Sequence, residues 1–322
     1  MKPLIRAALL TAALTIPTAM NAESQRVNPF MEPYGTKYEI PAFDRIQYSD
    51  YLPAINKGLE IKRGEIKAIA ENPAEPTFEN TILAMEKSGK LLSEVMRVFG
   101  SLCETDNTPE MQELSETIYP LVSAASDEVK MNPRLFERVK KLYDKRDKLG
   151  LKPYEVRAIE LSYKDFVRNG ALLSQTDKDA LMEVNKALTD LFLKYNKNLL
   201  AATNSFELVV DSKADLAGIP AGIVATAAAE AKERGKDGKW VFTLHAPSRL
   251  PVLKYADSRA VREKMYKGYI NLASQAPYDN RPIIGEIVKL RARKAAILGY
   301  KDFASYMTDN VMAKTPEAAT DL

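Results

Sequence analysis

Apolar residues recur every three or four positions along most of this chain, and prolines cut the pattern at intervals. That spacing predicts packed α-helices rather than sheet. The cleanest run is Leu181, Val184, Leu188, Leu191 and Tyr195. Ser174 or Thr176 stands before it as a cap, with Asp177 or Asp179 in the first turn, where a carboxylate complements the helix dipole. Such a run fits either a coiled-coil seam or a long helix inside a helical domain.

The same spacing appears elsewhere. Leu52, Ile55, Leu59, Ile66 and Ile69 make one face of a helix beginning near Tyr51. Asn72-Pro73-Ala74-Glu75-Pro76 stops it, because proline removes a donor and restricts the residue before it. A second stripe, Ile82 through Met85, Leu92, Val95 and Phe99 to Leu102, reads as one helix starting after Thr77. Thr108-Pro109 and Asn132-Pro133 each pair a capping side chain with proline at the first helical position. They open helices carrying Leu114, Ile118, Leu121 and Val122, with Pro120 as a kink, and Leu135, Val139 and Leu142. Lys140-Lys141 and Lys145-Arg146 read as a solvated face. Val156, Ile159, Tyr163 and Phe166 predict a further helix ending near Gly170.

Only two stretches break the helical period. Phe206–Val210 and Trp240–Leu244 are β-prone, separated by an alanine-rich helix over 216–231 and a charged turn, Arg234-Gly235-Lys236-Asp237-Gly238-Lys239. They predict a small antiparallel pair. Helices resume near Val252–Tyr255, Ser258–Ala273 and Ile283–Leu298. The expected class is mainly α, with that one pair. Residues 23–50, rich in Pro and Tyr, read as an extended lead-in.

The N-terminus has a different character. Lys2 and Arg6 precede an apolar run from Ala7 to Ile16, then Pro17 and small or polar residues to Ala22. This is the layout of a signal peptide, residues 1–22, and it predicts an exported chain, periplasmic or secreted, with residues 23–322 as the mature part. The alternative is an apolar first helix in a cytosolic protein. The run is too short to span a bilayer, and no later stretch reads as a membrane anchor. Lys+Arg 46 against Asp+Glu 43 gives a net +3. A dedicated nucleic-acid binder would concentrate far more positive charge, so nucleic acid is not an expected partner.

Four segments, in this order and spacing, carry a resemblance. The first is Pro76-Thr77-Phe78-Glu79-Asn80-Thr81-Ile82. The second joins Asp215-Leu216-Ala217-Gly218-Ile219-Pro220 to Trp240–Leu244. The third runs from Tyr255-Ala256-Asp257-Ser258-Arg259 through Arg262 to Tyr266. The last runs from Leu290-Arg291-Ala292-Arg293-Lys294 to Gly299-Tyr300, then Phe303-Ala304, Met312-Ala313 and Thr315-Pro316. Together they resemble the thimet oligopeptidase, oligopeptidase A and peptidyl-dipeptidase family of zinc metallopeptidases, with the bacterial peptidyl-dipeptidase branch nearest. The resemblance covers residue 28 to the end.

What it implies is a multi-helix lobe of a two-lobed enzyme that cuts short peptides in a deep channel. Zinc in the complete enzyme is held by His-Glu-x-x-His and a downstream glutamate. This chain has one histidine, His245, followed by Ala246-Pro247. Two imidazoles one turn apart cannot come from one residue. No catalytic or metal ligand of the family falls on a position here, and the substrate-binding residues stay unassigned. The last residues, Lys314 to Leu322, open a capped helix and stop within about two turns. That predicts the N-terminal part of such an enzyme, inactive alone, forming one wall of the channel, with a missing C-terminal catalytic region and short peptides as partners. The alternative is a non-catalytic helical protein that holds peptides or pairs with a separate catalytic half.

Individual residues have simpler readings. Cys103, the only cysteine, falls in an apolar series and reads as a buried structural thiol; a Cys103–His245 nucleophilic pair is the other possibility. Arg259, Arg262 and Arg291 read as surface ion pairs, or as channel residues meeting peptide carboxylates. Tyr255, Tyr266 and Tyr269 read as core or rim packing, and Glu79 as a helix-dipole partner.

Overall fold

The computed structural model describes residues 26–322; the leader read over residues 1–22 lies outside them. Contacts divide the chain after Ile46. Residues 26–46 hold two short 3-10 turns, Pro29–Met31 and Lys37–Glu39. Asn28 caps the first, its Oδ1 accepting from the Phe30 amide at 3.0 Å. The lead-in read as extended from its Pro and Tyr content thus carries two short helical turns.

From Gln47 onward the chain is mainly helical. α1 (Tyr48–Ala70) buries Tyr51, Ile55, Leu59, Ile66 and Ile69, and ends just before Asn72-Pro73. After the proline-rich stretch, Thr77 caps a π-turn, Phe78–Leu83, reciprocally with Asn80. The Thr77 hydroxyl accepts from the Asn80 amide at 3.1 Å, and Asn80 Oδ1 accepts from the Thr77 amide at 2.8 Å. The turn runs into α2 (Ala84–Lys87). The stripe from Ile82 to Leu102, read as one helix, is divided here. Gly89 takes φ 72°, and α3 (Lys90–Thr105) starts anew. Glycine adopts that left-handed conformation without a Cβ penalty, so the chain turns while its apolar spacing continues.

α4 (Pro109–Lys130) passes through Pro120 as one helix, and α5 (Pro133–Lys145) buries Leu135, Val139 and Leu142. Thr108 and Asn132 cap them as expected, accepting from the Met111 and Leu135 amides at 3.3 and 3.0 Å. α6 (Pro153–Arg168) and the long α7 (Gln175–Ser205) follow. Ser174, not Thr176, is the α7 cap, accepting from the Asp177 amide at 3.2 Å.

The helices lie side by side. α3 packs on α1, α1 on α4, α4 on α7, and α7 on α11 (Arg281–Ile297). The α7 stripe is therefore a seam inside a helical domain: Val184 and Leu188 meet Ile283 and Ile287 of α11. A second core, including Ile82, Phe136, Ile159 and Phe166, closes the other end of α1 against α5 and α6.

Beyond α7 the predicted pair forms. β1 (Leu208–Val210) runs antiparallel to β2 (Trp240–Phe242), with Leu208 opposite Phe242 and Val210 opposite Trp240. α8 (Ala221–Glu233), α9 (Ala246–Tyr255) and α10 (Arg259–Ile270) pack around it on Phe242, Val252 and Met265. After α11 come α12 (Phe303–Thr308) and α13 (Pro316–Thr320), the latter capped by Thr315.

Candidate functional site

Three of the four segments that carry the family resemblance hold the fold together. In the first, Arg138 reaches across from α5 and is 7% exposed. Its guanidinium donates to the carbonyls of Asn72 and Ala74 at 2.8 and 3.0 Å and to Asn80 Oδ1 at 2.9 Å. The proline-rich stretch has few backbone partners of its own, and a buried arginine supplies the donors. Glu79 is exposed in the first turn beside this clamp, as a dipole partner would be.

The second and third segments lock into each other. The Asp257 amide donates to the Ala217 carbonyl at 2.8 Å, and the Ser258 hydroxyl to Asp215 Oδ1 at 3.0 Å. Gly218, at φ +80°, lets the two strands of backbone touch: a Cβ there would lie 2.1 Å from the Tyr255 carbonyl oxygen. Arg262 donates to the carbonyls of Ala256 and Asp257 and so closes the end of α9. It makes no ion pair with any described residue, because backbone carbonyls at the helix end lie within its reach. Tyr255, Tyr266 and Tyr269 are all more than two-fifths exposed, so they are not core residues. Tyr269 carries the Arg249 guanidinium on its face at 3.5 Å.

The fourth segment faces a cavity of about 560 Å³ between α4, α7, α11 and α12. That volume lies within the usual range for small-molecule sites. Asn185 stands at its polar end. Its amide nitrogen donates to both Asp127 carboxylate oxygens at 2.9 and 3.1 Å, and its carbonyl accepts from Lys294 Nζ at 2.7 Å. Burial pushes the Asp127 carboxyl above its usual range, opposed by the Asn185 bond and the Lys294 charge. Burial also lowers Lys294, partly offset by Asp127. The two groups are bridged through Asn185, and burial penalises the charged form of each.

One turn before Lys294 on α11, Arg291 lies against two rings, 5.3 Å from the Phe192 centroid and 5.0 Å from Phe303. It makes no ion pair with any described residue, so the surface-pair reading does not hold for it. Tyr306 continues the wall. Its outer face holds Arg168, which donates to Asp309 Oδ2 and the Tyr306 carbonyl, both at 2.6 Å. Burial alone would raise Asp309, but the Tyr300 hydroxyl, Lys164 and Arg168 together hold it below its usual range. Tyr119 closes the α4 side, and burial, with Cys103 nearby, lifts its hydroxyl to about 12.

Sequence reasoning singled out Arg291 and missed Asp127, Asn185 and Lys294. A signal was present: Asn185, Thr189 and Phe192 make a second stripe at helical spacing, one residue beside the apolar seam of α7. Cys103 is half-buried rather than buried, with Sγ 3.4 Å from the Ser115 hydroxyl. His245 lies elsewhere, its Nε2 3.1 Å from Asn204 Oδ1. The structure does not bring the two together.

Zinc of the kind the resemblance implies asks for imidazoles and carboxylate converging on one point. Among the described residues no group of three or more His, Cys, Asp or Glu could hold a metal ion. The residues present do not fit that group. No helix of the described residues is long and apolar enough to cross a membrane.

Comparison with known proteins agrees with the motif order. Residues 252–322 match the model of peptidase family M3. The chain is 38% identical over 294 residues to the dipeptidyl carboxypeptidase of Escherichia coli (strain K12), covering 91% of this chain and 43% of that protein. It is 34% identical over 293 residues to the dipeptidyl carboxypeptidase of Salmonella typhimurium, with the same two coverages. Against oligopeptidase A of Escherichia coli it is 30% identical over 299 residues, again 91% and 43%. The chain thus spans less than half the length of the curated relatives it matches.

Proposed function

We propose, from the premise that this chain belongs to peptidase family M3, that it is the N-terminal region of an exported zinc peptidase acting on short peptides. In this reading the helices wall one side of a substrate channel, and the metal and the water-activating glutamate come from a C-terminal catalytic region. One observation carries it: the 38% identity runs through nine-tenths of this chain yet spans only 43% of a dipeptidyl carboxypeptidase. Release of dipeptides is favoured over internal cleavage by the dipeptidyl carboxypeptidase matches, which exceed the oligopeptidase A matches in identity. Export rests on residues 1–22 alone.

The chain's own part in such an enzyme is to bind and position. Two supports come from its surface. The cavity between α7 and α11 offers guanidinium and ammonium groups beside aromatic walls, a lining suited to peptides. Two helices carry exposed apolar side chains: Tyr266 and Ile270 on α10, Ile284 and Val288 on α11. Such residues are commonly covered by a partner surface. The described residues bring no metal-holding group to this part, so hydrolysis itself belongs to the C-terminal region in this reading.

The test is a chimera. This region replaces the matching part of the Escherichia coli dipeptidyl carboxypeptidase, and zinc-dependent dipeptide release is assayed beside the isolated chain. Activity in the chimera and none in the isolated chain is the expected result. A folded, zinc-loaded chimera without activity would overturn the reading, as would turnover by the isolated chain. Sequencing the gene beyond the Leu322 codon is the independent check: an in-frame His-Glu-x-x-His supports it, and a stop with no partner gene favours the non-catalytic binding protein.

A further inference from the structure

We propose that the cavity between α4, α7, α11 and α12 is a binding site for a small carboxylate ligand, with Arg291 as the receptor of the carboxylate and the adjoining rings as the wall for its apolar part. Nothing in this inference depends on catalysis, so it stands or falls apart from the chimera.

A guanidinium carries five N–H donors in one plane. Here Phe192 and Phe303 flank it, at 5.3 and 5.0 Å, and no described residue accepts a hydrogen bond from it. Arg138, buried on α5, has three protein acceptors, whereas the half-buried Arg291 has none among the described residues. Aromatic rings stabilise a cation by their quadrupole but accept none of its edge hydrogen bonds. The edge of Arg291 is left for something that enters the cavity, and a carboxylate is the group whose two oxygens match the fork.

The charge balance points the same way. Asp127 is the carboxylate lining the cavity, and its oxygens are already engaged by Asn185 and opposed by Lys294. Arg291 is left as the excess positive charge. One ligand carboxylate would neutralise it without disturbing the Asp127–Asn185–Lys294 bridge. At about 560 Å³ the cavity holds a molecule of dipeptide size, and Phe303, Tyr306 and Met307 give an apolar side chain a surface.

Two sources supply such a ligand: the C-terminus of a short peptide, or a free organic acid. Isothermal titration of the intact chain separates them, using Ala-Phe, Ala-Phe-amide and 3-phenylpropionate. Saturable binding of Ala-Phe without binding of its amide assigns a peptide C-terminus; binding of 3-phenylpropionate as well extends the site to organic acids. Arg291→Met keeps the stem on the rings and removes the fork, and it should weaken binding roughly tenfold or more. Arg291→Lys, which keeps the charge, should fall between. Melting temperatures equal to wild type show that both variants are folded. Absence of binding by either acid, an amide that binds as well as Ala-Phe, or an unchanged affinity in Arg291→Met would each overturn the proposal.

Discussion

Two arginines mark two kinds of region in this protein. Arg138 is spent on structure: it is buried on α5, and its donors hold the turn between α1 and α2. Arg291, on α11, has aromatic faces and no acceptor among the described residues, and it lines a cavity. Both lie in or against segments that carry the family resemblance. A shared motif therefore says that a segment matters, and the partners of its side chains say for what. Where donors and acceptors close on each other, the motif holds the fold. Where one edge is left open, it is available to a ligand.

Substitutions in the closed regions should cost the most. Gly218→Ala would press a Cβ into the Tyr255 carbonyl and impose a positive φ on a residue that resists it. We expect a loss on the order of 4 kcal/mol, read as a lowered urea midpoint. A variant as stable as wild type would mean the two segments are not locked. Arg138→Leu comes next. It takes the guanidinium donors from the carbonyls of Asn72 and Ala74 and one of several donors from Asn80 Oδ1, for about 3 kcal/mol. Thermal unfolding within ~0.5 kcal/mol of wild type would remove the distinction between the two arginines.

The closed regions were legible in outline only. Periodicity placed nearly every helix, since burying one face is what each helix must do. It missed the break at Gly89 because a turn that preserves the apolar spacing leaves no trace in it. The caps at Thr108, Asn132 and Ser174 were readable, being local hydrogen bonds between residues three apart. The cavity was not. Asp127, Asn185 and Lys294 sit on three helices, separated by 58 and 109 residues. No local rule joins positions that only tertiary packing brings within 3 Å.

Within the cavity the expected effects on stability are smaller. Asn185→Leu removes the bridge and leaves a carboxylate and an ammonium half-buried without it. About 2 kcal/mol is expected. Arg291→Met should cost under ~0.5 kcal/mol, because the arginine gives up no protein hydrogen bond. A large loss there would make Arg291 a second structural arginine and erase the contrast with Arg138.

The finest test uses pH. Burial holds Lys294 below its ordinary 10.5 in the folded chain. Between that lowered value and 10.5 the unfolded chain binds a proton that the folded chain does not. Wild-type stability therefore gains a contribution as pH rises through that window, complete above 10.5. Lys294→Met has no such proton and no such gain. The variant also strips Asp127 of the cation opposing its burial, so its carboxyl rises further. A raised carboxylate costs stability as pH rises through its range, and here the variant pays more. Both effects have one sign: the variant should lose ground to wild type as pH increases, first in the acid range and again toward 10.5. Urea unfolding of the two proteins across that span reads the difference directly. A difference that stays flat from neutral pH to 10.5 would place Lys294 in water rather than in the bridge, and the cavity's polar end would be an ordinary surface.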